Sequence, residues 1–145
     1  MTSALSIIQN FVQQIDSSIN IDFYSDFCVD IQNKIIYIET VEHQKSEELI
    51  QNFVFEQFEI QIDPFLIGIL HEIGHIITYN KQIDNERSAL YSLLAIGYDE
   101  EYFEEYSNLY FRIPAEYKAT EWAVNYYKQN KELCDNFLNE LYSDN

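Results

Sequence analysis

"ILHEIGHII", residues 69–77, sets three strongly polar side chains, His71, Glu72 and His75, into an otherwise apolar run. Burying such groups is costly unless something pairs with them. His71 and His75 are four residues apart, so on a helix their imidazoles lie one turn apart on the same face. That spacing lets two rings bind one metal ion. Glu72 is rotated by about 100° around the axis from His71, where it can take a proton from an attacking water without being a ligand. This is the HExxH arrangement, two zinc ligands and a general base. Zinc brings the pKa of a water down toward about 7, and the carboxylate relays the proton to a leaving amine.

The flanks support a helix. Asp63-Pro64 is a start signal, a capping side chain followed by proline at the first helical position, and the helix is expected to stop near Asn80. It is apolar almost all round, as a buried helix is. Gly68 and Gly74 each cost about 1 kcal/mol there relative to alanine, and small residues at these positions let another backbone or a substrate come close.

A catalytic zinc has three protein ligands and one open position. His43, in "VEHQKSEE", reads as an exposed loop residue. Glu116 and Glu121 in "PAEYKATEWA" are the better candidates. Pro114 starts a helix that puts Glu116 in its first turn, and Ala119, Thr120 and Ala123 follow on the same face. Small side chains there allow close packing on the motif helix. Glu121 lies on another face, followed by Val124, Asn125 and Lys128. Glu116 is the preferred third ligand and Glu121 the alternative.

The remaining chain gives a coarse plan. Residues 3–17 carry Leu5, Ile8, Phe11, Val12 and Ile15 at helical spacing. From residue 19 to 40 the period is two, and "CVDIQNKIIYIE" reads as a hairpin turning at Gln32-Asn33. Ser46 is placed to cap a helix with Leu49, Ile50, Phe53, Val54 and Phe58 on one face. Asp84 is read as opening a helix ended by Gly97, and Asp99 as opening one with Tyr102, Phe103, Tyr106 and Leu109 inward. A last helix covers residues 131–142. The expected class is α+β, mostly helical, with a small antiparallel sheet beside the HExxH helix, in a single domain over residues 1–145.

Composition bounds the function. Hydrophobic residues at 47% supply a core, and the formal net charge of -17 repels phosphate backbones. Direct nucleic-acid binding is therefore not expected, whereas a basic protein partner is accommodated. No stretch is long and apolar enough for a membrane span, and no basic leader precedes an apolar core, so the expected location is cytoplasmic. Cys28 and Cys134 have no near neighbours at metal-ligand spacing and read as two buried thiols.

"HEIGH" and "EYKATEWA" together resemble the ImmA/IrrE family of zinc metallopeptidases. The second segment is similar to that family's Glu-x-x-Ala-x-x-x-Ala helix, with Thr120 where Asn or Asp is usual. The resemblance implies a zincin-like fold, zinc on His71, His75 and Glu116, and Glu72 as base. It also implies regulated proteolysis of one or few protein substrates, such as a repressor of a phage or mobile element, which as a basic DNA-binding protein would suit the acidic charge. In many zincins a substrate adds antiparallel to an edge strand, and "KIIYIE" is the candidate strand. The competing expectation is a non-enzymatic acidic binding or inhibitor protein, DNA-mimic-like, on the same fold.

Overall fold

The motif helix starts where Asp63-Pro64 predicts. In the computed structural model, which describes residues 3–24, 27–38, 45–96, 101 and 103–143 (the backbone alone at 45–47 and 103–104), the elements run α1 (Ala4–Ile15), β1 (Asn20–Phe23), β2 (Cys28–Asp30), β3 (Ile35–Ile38), α2 (Lys45–Phe58), α3 (Pro64–Ile77), α4 (Lys81–Ile96), α5 (Phe103–Arg112), α6 (Pro114–Gln129) and α7 (Lys131–Ser143). Asp63 Oδ1 accepts from the Leu66 N–H at 3.0 Å and caps α3. Phe65, Leu66, Ile67, Ile69, Leu70 and Ile73 of α3 are all buried in one core shared with α1, the sheet, α2, α6 and α7. On the far side α1 leans on α7 through the stacked rings of Phe11 and Phe137, 4.1 Å apart.

α3 ends at Ile77, short of Asn80, because Asn80 is already the start of the next helix. Its side-chain oxygen accepts from the N–H groups of Gln82 and Ile83, and Asp84 Oδ2 accepts from the Asn80 N–H at 3.0 Å. Asp84 is therefore the return half of a reciprocal cap, not the residue that opens α4. Leu109 does not point inward as its spacing suggested. It is 52% exposed, and Phe111, two residues on, is the buried one among the described side chains of α5. α2 is helical from Lys45, so Ser46 lies inside it, while His43, Gly97, Asp99 and Tyr102 fall outside the described residues.

The sheet is small but not antiparallel throughout. Its order is β1-β3-β2, with β1 parallel to β3 and β2 antiparallel to it. β2 and β3 do form the expected hairpin, in the register Cys28↔Tyr37, Val29↔Ile36, Asp30↔Ile35. Its loop spans residues 31–34 rather than two, closed by Asp30 accepting from both the backbone and the side-chain nitrogen of Asn33. The most apolar strand takes the centre. Ile36 and Ile38 of β3 are fully buried, whereas β1 buries only Ile21 and β2 nothing completely. A central strand has both rows of backbone groups paired, which a buried strand needs. Among the described residues no helix is long and apolar enough to cross a membrane.

Candidate metal centre

The site is made where α3 and α6 touch. Ala115, Ala119 and Ala123 of α6 are buried, and Gly74 of α3 lies against the Ala119 backbone. A Cβ on Gly74 would run into the Ala119 carbonyl oxygen, so only glycine permits this approach. The close crossing carries Glu116 and Thr120, one turn apart on α6, up to His75 and His71, one turn apart on α3. All four side chains are buried. Glu121 lies on the exposed side of α6 and is not part of the site.

Hydrogen bonds fix the histidine tautomer. Thr120 Oγ1 donates its only hydrogen to the Glu116 backbone carbonyl at 2.9 Å. It must therefore accept from His71 Nδ1–H, also at 2.9 Å. In the neutral ring the proton therefore sits on Nδ1 and Nε2 carries the lone pair. His71 Nε2 faces His75 Nε2 at 3.1 Å and Glu116 Oε1 at 3.3 Å, while His75 Nε2 meets Glu116 Oε2 at 2.9 Å. Lone pairs this close repel one another unless a proton or a cation sits among them. One ligand atom from each of His71, His75 and Glu116 lies within 4.8 Å of the others, so the three can hold a metal ion. Two imidazole nitrogens and one carboxylate oxygen match a catalytic zinc donor set.

Without a metal the charges balance internally. Burial alone would raise the Glu116 pKa, but hydrogen bonds and charge from His71 and His75 hold it well below the usual carboxylate range. Burial would lower His75, yet Glu116 and, more weakly, Glu72 outweigh it and the pKa is raised. Glu72 behaves oppositely to Glu116. It is half-buried, accepts no hydrogen bond among the described residues, and is pushed up chiefly by burial. A raised pKa makes the carboxylate a stronger base toward the proton of a water.

Glu72, His75 and Glu116 line a cleft of about 300 Å³ with Phe27, Cys28, Val29, Ile31, Asp84, Arg87 and Tyr110. β2 and its flanks thus form one wall. The strand expected to receive a substrate, β3, cannot do so, because its backbone is paired on both sides. β2 is the edge strand beside the site. Cys28 on it is exposed rather than buried, Cys134 is buried, and neither forms a disulfide.

Three site residues, Thr120, Arg87 and Tyr110, have roles that the sequence did not assign. Thr120 reads in the sequence as a small residue on the Glu116 face and as a departure from the family pattern, and its hydrogen-bonding role depends on where His71 Nδ1 lies. Arg87 Nε donates to Glu116 Oε2 at 2.8 Å, and its Nη2 donates to Tyr110 OH at 3.0 Å. The one available signal for Arg87 was scarcity, since it is one of two arginines in a chain with 25 acidic residues. Neither a family model, nor a curated protein, nor a solved structure matches this chain.

Proposed function

We propose that the protein is a zinc-dependent metallopeptidase of HExxH type that cleaves one or few specific protein substrates, a basic repressor or regulator of a phage or mobile element being the candidate. The observation that carries this reading is the convergence of His71 Nε2, His75 Nε2 and the Glu116 carboxylate beside an unbonded Glu72 in a cleft. A purely structural metal site would have no use for a carboxylate held free next to it.

Zinc bound to His71, His75 and Glu116 would polarise the scissile carbonyl and supply a water nucleophile at neutral pH. Glu72 takes the proton of the attacking water and delivers it to the amine nitrogen as the peptide bond breaks. Thr120 keeps His71 in the tautomer whose Nε2 can ligate. Among the described strands β2 pairs only with β3, and an extended substrate adding to its other side would lie along the cleft. The cleft, about 300 Å³, has room for part of one extended chain.

The net charge of -17 favours a second reading, an acidic binding protein that acts without cleavage. Glu72→Gln separates the two. Zinc content should stay near one per chain in the variant, because the ligands are intact. New protein termini should appear in host cells carrying the mobile element and expressing wild type, and be absent with Glu72→Gln. Identical sets of termini from both, with the biological effect retained, would favour the binding protein and refute the peptidase.

A further inference from the structure

Three side chains able to carry positive charge face the buried Glu116 carboxylate: His71, His75 and Arg87. Two of them must be neutral when their Nε2 atoms bind a metal. Arg87 alone stays charged at every working pH. A carboxylate only 1% exposed would otherwise have no permanent counter-ion in the metal-ready site. Arg87 is also held by more than that ion pair. Its guanidinium forks between Glu116 Oε2 at 2.8 Å and Tyr110 OH at 3.0 Å, so α4 and α5 together brace the ligand presented by α6.

The fork distinguishes the two carboxylate oxygens. Oε2 accepts from Arg87 at 2.8 Å and also lies 2.9 Å from His75 Nε2. Oε1 takes no bond from Arg87 and lies 3.3 Å from His71 Nε2. We infer that Arg87, anchored by Tyr110, is a positioning residue that keeps Glu116 in place as an anion and reserves Oε1 for the metal, so that the carboxylate ligates through one oxygen. This rests on the metal-site reading above. Single-oxygen ligation leaves the fourth position open, as a catalytic site requires.

The test is zinc affinity by competition with a chromophoric chelator, together with zinc X-ray absorption at saturating metal. It compares wild type with Arg87→Gln, Arg87→Lys and Tyr110→Phe. Arg87→Gln should weaken zinc by about 10–100-fold, the range for a lost outer-shell partner, and add a second carboxylate oxygen to the zinc shell. Arg87→Lys keeps the charge but cannot bridge both partners, so it should recover part of the affinity. Tyr110→Phe should weaken zinc less than Arg87→Gln, and it serves as the deciding variant if Arg87→Gln does not fold. Wild-type affinity with one carboxylate oxygen in Arg87→Gln, or in Tyr110→Phe if that variant decides, would overturn the inference while leaving the metal site standing. A wild-type chain that binds no zinc would overturn both.

Discussion

Replacing Gly74 with alanine should damage the metal site more than the fold. The new Cβ would lie 3.0 Å from the Ala119 carbonyl carbon and from its Cα, with the carbonyl oxygen nearer still. Carbon atoms normally approach to about 3.5–4.0 Å, so α3 and α6 must separate by about 0.5 Å or more. No rotamer change relieves the contact, because every atom met is backbone. Overpacking of this kind costs about 1–3 kcal/mol, offset by about 1 kcal/mol of helix propensity gained on removing glycine. The net loss of stability is then about 0–2 kcal/mol. A metal site tolerates much less displacement, about 0.2 Å in its ligand distances. His71 and His75 ride on α3 and Glu116 on α6, so the separation acts directly between ligands. Zinc affinity should fall by about tenfold or more, about 1.4 kcal/mol. Urea unfolding of the metal-free protein and chelator competition measure the two effects separately. Trimming Ala119 to glycine in the same chain should not restore binding. A Gly74→Ala protein about 1 kcal/mol more stable than wild type, with unchanged zinc affinity, would mean that the helices do not meet at this point.

Further outcomes follow from the same geometry. Thr120→Val keeps the shape but removes the acceptor for His71 Nδ1–H, and zinc binding should weaken by about tenfold or more with the circular dichroism spectrum unchanged; undiminished affinity would show that the tautomer is set otherwise. Ellman's reagent at pH 8 should titrate one thiol per native chain, the exposed Cys28, and two after denaturation, since burial pushes the Cys134 thiol up to about 12; two fast thiols in the native protein would contradict the packing of α7. In the metal-free chain the folded pKa of His75 is raised above its ordinary 6.5. Its contribution is thus fully present below that value and is lost as pH rises through the folded pKa. Zinc binding has the opposite slope, because protons compete for the same nitrogen. His75→Ala should flatten the decline in metal-free stability as pH rises from about 6 toward the folded pKa, and an unchanged slope would remove His75 as its source.

The sequence alone determined whatever depends on near neighbours along the chain. The spacing of His71 and His75 placed both rings on one helical face, because that face repeats every turn. Asp63 before Pro64 marked the start of α3, because cap and fixed φ act within one turn. The small side chains at Ala119 and Ala123 singled out Glu116 over Glu121, because a close helix crossing tolerates nothing larger. The tertiary structure decided what depends on distant segments. β3 became the central strand through pairing with β1, a parallel contact that no local turn encodes. Leu109 turned outward because the core beneath α5 is filled by Phe111 against Phe53 and His71. Thr120 acquired its role from a ring 49 residues away, and Arg87 from a carboxylate 29 residues away. Hydrophobic periodicity carries no information about such pairs, since a polar residue at the surface and one turned into a cleft read alike until the helices are packed.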